Sequence, residues 1–111
     1  MREDVRIKDI QTDVAPDGRR VAVDLELTPF IERPTIELYL ENENGEKAGA
    51  ITIIETMDFR VGVVVHLRDK TPTANYTITA TVYYAALEKG ERQVVHRFQK
   101  TFAIAPDAEP D

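Results

Sequence analysis

The 111-residue chain contains no cysteine, no serine and no tryptophan. Without thiols there can be no disulfide, thiolate zinc site, iron–sulfur cluster or cysteine nucleophile, and without serine no serine-nucleophile mechanism. Basic residues are in the minority, 14 Lys+Arg against 20 Asp+Glu for a net charge of −6. Nucleic acid is therefore not expected as a partner, because phosphate neutralisation needs a basic footprint. Long apolar runs are also missing. The longest, Val82 to Leu87, is six residues, far short of the ~18 that a membrane-spanning helix needs, so no membrane partner is expected. Met1-Arg2-Glu3-Asp4 has no apolar stretch behind it; no secretory signal is read in this chain, and the expected compartment is the cytoplasm.

What is present is alternation. Apolar residues recur at every second position in segment after segment, which is the period of half-buried strands and not of helices. The first segment carries Val5, Ile7 and Ile10, and the second Val21, Val23, Leu25 and Leu27. The third carries Ile36, Leu38 and Leu40; the fourth runs from about Ala48 to Ile54, its phase broken by the adjacent Ile53 and Ile54. The fifth reads Phe59, Val61, Val63, Val65 and Leu67, and the sixth Tyr76, Ile78, Ala80, Val82 and Tyr84. The seventh, about Arg92 to Ile104, sets Val94, Phe98, Phe102 and Ile104 on one side but has His96 and Lys100 in the same phase. Either a bulge or a position at the sandwich rim accounts for those two.

The punctuation agrees with seven strands. Asp17-Gly18 and Asn44-Gly45 predict type I′ hairpin turns, and all six prolines fall outside the strand interiors, where a missing amide would break a ladder. Ala85 to Lys89 has helical leanings but is too short to hold a helix alone and is read as a loop. Residues 105–111 hold two Pro, three acids and no large apolar side chain, which predicts a disordered acidic tail after a single domain over residues 1–104.

Asp69-Lys70-Thr71-Pro72-Thr73-Ala74-Asn75-Tyr76-Thr77-Ile78-Thr79-Ala80-Thr81-Val82 resembles the start of strand F in immunoglobulin-like and fibronectin type III-like domains. There a tyrosine forms a corner by bonding back to upstream backbone, and Tyr76 holds that position. The resemblance implies an all-β, seven-stranded antiparallel immunoglobulin-like β-sandwich with Greek-key topology. The first, second and fifth segments would form one sheet and the third, sixth and seventh the other, with the fourth joining either. The chain lacks the cysteines and core tryptophan of antibody-type domains, which moves it towards the cysteine-free modules of bacteria. The implied core is Val21, Val23, Leu25, Leu27, Ile36, Leu38, Leu40, Val61, Val63, Val65, Ile78, Ala80, Val82 and Phe98.

Candidates for chemistry are few. His66 and His96 have no metal-ligand spacing and would lie in different sheets. Asp13 to Asp24 superficially resembles a calcium loop, but Ala15 takes a ligand position and Arg19-Arg20 sit beside it, so a hairpin turn fits better. Asn75-Tyr76-Thr77 matches a glycosylation sequon that suits a turn equally well. No carboxylate pair can be placed at glycosidase separation, so neither a catalytic role nor any metal or cofactor is expected. Two surfaces remain. The outward face of the third, sixth and seventh segments would present Tyr39, Thr79, Thr81, Tyr83, Arg97 and Gln99, the composition of a protein interface or a sugar-binding face. The loop Pro29-Phe30-Ile31-Glu32-Arg33-Pro34 offers Phe30 and Ile31, either for recognition or as a plug over the core. The expected function is a non-catalytic binding or protein–protein interaction module that engages a protein partner or a second copy of itself. The alternative is a carbohydrate-binding module or an accessory domain of a larger assembly.

Charge is uneven along the chain. Residues 1–55 hold 7 basic and 13 acidic side chains, residues 56–104 hold 7 and 4, and the tail adds −3. The mildly basic part falls on the later strands.

Overall fold

The computed structural model describes residues 5–86 and 91–104. It contains seven strands: β1 (Ile7–Val14), β2 (Arg20–Leu27), β3 (Thr35–Asn42), β4 (Lys47–Ile53), β5 (Arg60–His66), β6 (Asn75–Ala86) and β7 (Glu91–Ala103). They form two antiparallel sheets, a three-stranded one in the order β1-β2-β5 and a four-stranded one in the order β4-β3-β6-β7. The result is the all-β sandwich that the alternation predicts. The fourth segment joins β3, because the short connection between them closes a local hairpin at small entropic cost. Compared with a constant-type immunoglobulin arrangement, in which the fourth strand pairs with the fifth, this choice leaves β5 at the edge of its sheet.

The core is built from the inward faces of both sheets. Val21, Val23, Leu25 and Leu27 of β2 meet Ile36, Leu38 and Leu40 of β3 and Ile78, Ala80 and Val82 of β6, all buried. Each large side chain so removed from water contributes about 1.5–3 kcal/mol, enough to offset chain entropy without disulfides. Val61, Val63 and Phe98 are only partly buried, since β5 and β7 are edge strands covered from one side. Val5, Ile7, Ile10, Leu67, Tyr76, Tyr84 and Phe102 complete the core.

Three breaks in the alternation are bulges, each an extra residue that resets the phase. In β1 the register shifts between Ile7 and Asp9, which lets both Ile7 and Ile10 point inward. In the β3–β4 pair the shift falls beside Ala48, so Gly49, Ile51 and Ile53 turn inward and Ile54 is left exposed beyond the strand. In the β6–β7 pair Val82 faces His96 but Tyr83 faces Val94. The bulge at Val95 sends Val94 outward and packs Val95 against the core, the reverse of the phase expected from sequence.

Two other expectations are corrected. Neither hairpin is type I′: only Gly18 and Gly45 have positive φ, at 70° and 78°, while Asp17 and Asn44 do not. Each glycine instead closes a turn as its fourth residue, with Gly18 N–H donating to Ala15 O and Gly45 N–H to Asn42 O; this is the longer hairpin type in which one glycine takes the left-handed position. Ala85 and Ala86 belong to β6, pairing with Arg92 and Glu91, and are not part of a loop. Leu87 to Gly90 and the tail 105–111 lie outside the described residues.

Candidate functional site

The two ends of the sandwich differ in chemistry. At one end the β1–β2 turn, the β3–β4 hairpin and the β5–β6 connection converge on Asp69, whose side chain is fully buried. Its Oδ2 accepts from Tyr76 Oη at 2.8 Å and from Asn42 Nδ2 at 2.9 Å, and its Oδ1 faces Arg19 Nη2 at 3.2 Å. Arg19 also donates to Leu67 O. Asn42 Oδ1 accepts the amides of Asn44 and Glu46, and the Glu46 carboxylate accepts those of Lys70 and Thr71. Burial alone would push the Asp69 carboxyl up. The bonds from Asn42, Tyr76, its own backbone and Arg19 outweigh that and hold it below the ordinary value of 3.8. Burial and the bond to Asp69 raise the Tyr76 hydroxyl above 10.0. Tyr76 stands at the start of β6, where the resemblance puts the corner tyrosine, but its hydroxyl donates to the upstream Asp69 carboxylate in place of the backbone acceptor that the resemblance implies. This network seals the end.

The opposite end is apolar and open. The β2–β3 loop and the β4–β5 connection lie side by side there, joined by Thr56 N–H to Pro34 O and Leu27 N–H to Phe59 O. They expose Ile31 at 94%, Ile54 at 75%, Met57 at 68% and Phe59 at 46%. The same two connections also carry the exposed Glu32, Arg33, Glu55 and Asp58, so exposed apolar and charged side chains share this end, the composition of a contact surface. The two residues of the Pro29–Pro34 loop divide the roles proposed for them. Phe30 packs against the core and meets Phe59 edge-to-face at 5.0 Å, so it is the plug, while Ile31 stands in solvent. Glu55 is the one non-glycine residue with positive φ among those described, at 49°, and it sits in this same connection. Ile54, Met57 and Phe59 escape a reading based on alternation: Phe59 continues the phase of β5, and only the Ile53-Ile54 doublet signals that the strand has ended.

The outward face of the four-stranded sheet is arranged in cross-strand rungs. Tyr39, Thr79 and Gln99 lie in one rung, with Gln99 Nε2 donating to Thr79 Oγ1 at 3.0 Å. Thr81 and Arg97 lie in the next, 3.5 Å apart. Tyr39, Arg97 and Gln99 are exposed, but Thr81 and Tyr83 are buried. Thr81 is covered within its rung, and Tyr83 lies between Thr35 and Val94. Tyr39 and Tyr83 therefore do not form a flat aromatic platform.

His66 and His96 sit on β5 and β7, on different sheets. His96 Nδ1 accepts the Ile7 amide at 2.9 Å, and Lys100 Nζ donates to Ile10 O. Of the two sequence explanations the rim is the one that holds: the bulge lies before this pair and leaves His96 and Lys100 in phase with Phe98 and Phe102, and both bind the backbone of β1. Asp17 bonds the Arg19 amide and the Arg20 guanidinium, as a turn residue does. The Asn75 side chain donates to Glu43.

The fold is thus a β-sandwich of three and four strands with one sealed and one open end. No family model matches the chain, and no curated protein matches it. Among solved structures it is similar to part of a Bifidobacterium dentium β-glucuronidase complexed with coumarin-3-O-glucuronide (16% identity, TM-score 0.66, 91% of this chain and 18% of that one). It is also similar to part of a glycosyl hydrolase family 2 member from Bacteroides cellulosilyticus (11%, TM-score 0.64, 93% and 15%). A third match is to a β-glucuronidase from Ruminococcus gnavus (15%, TM-score 0.59, 91% and 16%). The chain spans less than a fifth of each of these proteins, and at such identities the likeness is one of fold.

Proposed function

We propose that this chain is a non-catalytic interaction domain, an accessory β-sandwich of a larger assembly, and that it makes its contact through the apolar end. The observation that carries the proposal is the difference between the ends: Asp69 and its partners close one, whereas Ile31, Ile54, Met57 and Phe59 leave the other with four large apolar side chains in water. Keeping those side chains exposed favours a partner that covers them. The recurrence of this fold as a small piece of long glycosidase chains supports the accessory role over that of a free-standing binder. The burial of Tyr83 counts against sugar binding by an aromatic pair. A catalytic reading has little to work with, since the sequence has no Ser or Cys and the buried carboxylate is held by structural bonds.

The test is site-specific photo-crosslinking in the source cells, with the reactive side chain placed at Met57, at Ile31 or, as a control on the rung-paired face, at Gln99. Discrete adducts from positions 57 and 31 but not from 99 are expected. Adducts from 99 alone, or from none of the three, would overturn the assignment of the contact.

A further inference from the structure

The three-stranded sheet has two edges, and they are treated differently. On the β1 side, His96 and Lys100 reach across from β7 and bond the Ile7 amide and the Ile10 carbonyl, so polar side chains occupy the open backbone groups. On the β5 side no side chain does this among the described residues; only at the far end, just past the strand, does Arg68 N–H meet the Ala48 carbonyl of β4. Leu27 N–H donates to Phe59 O and Leu67 N–H to Arg19 O. In an antiparallel pair this places the odd-numbered residues of β5 in hydrogen-bonded register with β2 and turns the backbone groups of the even-numbered ones away from it; Gly49 of β4 lies against the His66 carbonyl, so the open stretch is Arg60, Gly62 and Val64. β5 has no proline, and its pairing with β2 shows no bulge, the usual devices that blunt an edge. Val64 is exposed.

The space beside this edge is shaped. β4, on the other sheet, comes up to the end of β5, where Arg68, two residues past the strand, donates its N–H to Ala48 O at 2.8 Å. Between them lies an open cleft of about 400 Å³ lined by Lys47, Ala48, Gly49, Ala50, Ile51, Val64, Val65, His66 and Arg68. Its lining combines small or apolar residues, Ala48, Gly49, Ala50, Ile51 and Val64, with polar ones. Its charged members are both cationic, and among the described residues neither Lys47 nor Arg68 has a carboxylate partner.

We infer that the open edge of β5 is a strand-addition site that takes an extended acidic peptide segment of a partner protein. Backbone pairing with Gly62 and Val64 gives the affinity, alternate apolar side chains of the segment cover Ile51, and its carboxylates meet Lys47 and Arg68. A second copy of the chain is the poorer occupant. Strand β5 of a second copy carries no acidic residue from Arg60 to His66, so the strand brings no carboxylate of its own to the cationic cleft. The site is separate from the apolar end and stands or falls independently of it.

The experiment is amide NMR of the full chain titrated with a blocked heptapeptide of alternating Glu and Val. The controls are the Lys–Val counterpart and a Glu–Val peptide with a central Pro. Shifts and exchange protection centred on Gly62 and Val64 are expected from the Glu–Val peptide alone. Its binding should weaken with salt and fall at least tenfold when Lys47→Glu and Arg68→Glu are combined. Equal binding of the Lys–Val or Pro-containing peptide, shifts elsewhere, or no shifts at millimolar peptide would overturn the inference. So would protection of the same amides by concentration-dependent dimerisation, which would make a second copy the occupant.

Discussion

Asp69→Asn keeps the shape of the side chain and removes its charge, so it isolates the electrostatic part of the network that seals the polar end. Oδ2 accepts from Tyr76 and Asn42 at 2.8 and 2.9 Å, and Oδ1 faces Arg19 at 3.2 Å. An amide oxygen in the Oδ2 position keeps the first two bonds, but its NH₂ then confronts the guanidinium, donor against donor. A hydrogen bond to a charged group contributes about 1.5–3 kcal/mol. The Arg19 side chain is 37% exposed, so water recovers part of its charge and the lower part of that range applies. The expected loss is about 2 kcal/mol near neutral pH. Asp69→Ala also strips Tyr76 and Asn42 of their acceptor and should cost about 3–5 kcal/mol. Urea unfolding followed by circular dichroism measures both. At a slope of about 1–3 kcal/mol per molar for a small domain, 2 kcal/mol moves the midpoint by roughly 1 M. Acid provides an independent arm. Because the folded carboxyl lies below its unfolded value of 3.8, its stabilising contribution is complete above that pH and is lost as pH falls through the folded value. The Asn variant lacks this loss and should be less acid-sensitive than wild type in that window. A neutral-pH midpoint indistinguishable from wild type, or an unchanged acid slope, would refute the account of Asp69 as the centre of the network.

Gly49→Ala should destabilise the fold by about 1–3 kcal/mol, the usual cost of overpacking. Its Cβ would lie 2.7 Å from Val65 Cγ1 and 3.1 Å from the His66 carbonyl oxygen; an unchanged urea midpoint would mean that β4 and β5 separate freely there. His96 supplies a second pH window. Burial, with Arg6 assisting, holds its imidazole below 6.5, and only the neutral ring can accept the Ile7 amide. The unfolded chain therefore binds the proton more readily, and stability should decline as pH falls from about 6.5 towards the folded value. His96→Asn, which keeps an acceptor near Nδ1, should flatten that decline in urea midpoints measured between about pH 7 and 5; an equal decline in the variant would show that His96 does not cause it.

Much of the fold is legible because a sandwich core is written in period two. The seven segments and the buried faces of β2, β3 and β6 follow from alternation, while the division of the strands between two sheets follows from the resemblance. The misreadings have local causes. Phe59 continues the phase of β5 and its carbonyl still accepts the Leu27 amide, but at the last rung of the sheet it is covered only by Phe30 and stays half exposed. Val94 and Val95 exchanged places because a bulge removes one residue from the count without leaving a mark in composition. Asn44-Gly45 was assigned the tighter turn because the dipeptide suits either hairpin. What decides between them is the Asn42 side chain, whose Oδ1 captures the Asn44 and Glu46 amides, and that bond pattern is not encoded by the dipeptide.

The ends of the sandwich are less legible, since they are assembled from residues distant in sequence. Asp69 lies 50 positions from Arg19 and 27 from Asn42, and no periodicity relates them. The edges are legible in an unexpected way. A polar residue in the inward phase would carry a heavy desolvation cost at the centre of a sheet; at a rim it can instead cap a neighbour's free backbone. His96 and Lys100, which spoiled the seventh segment's pattern, do this for β1. The fifth segment has no such interruption: Val61, Val63 and Val65 alternate without fault, and its strand is the one left unguarded. In an edge strand, then, unbroken alternation marks a surface prepared to pair, and the irregular strand is the protected one.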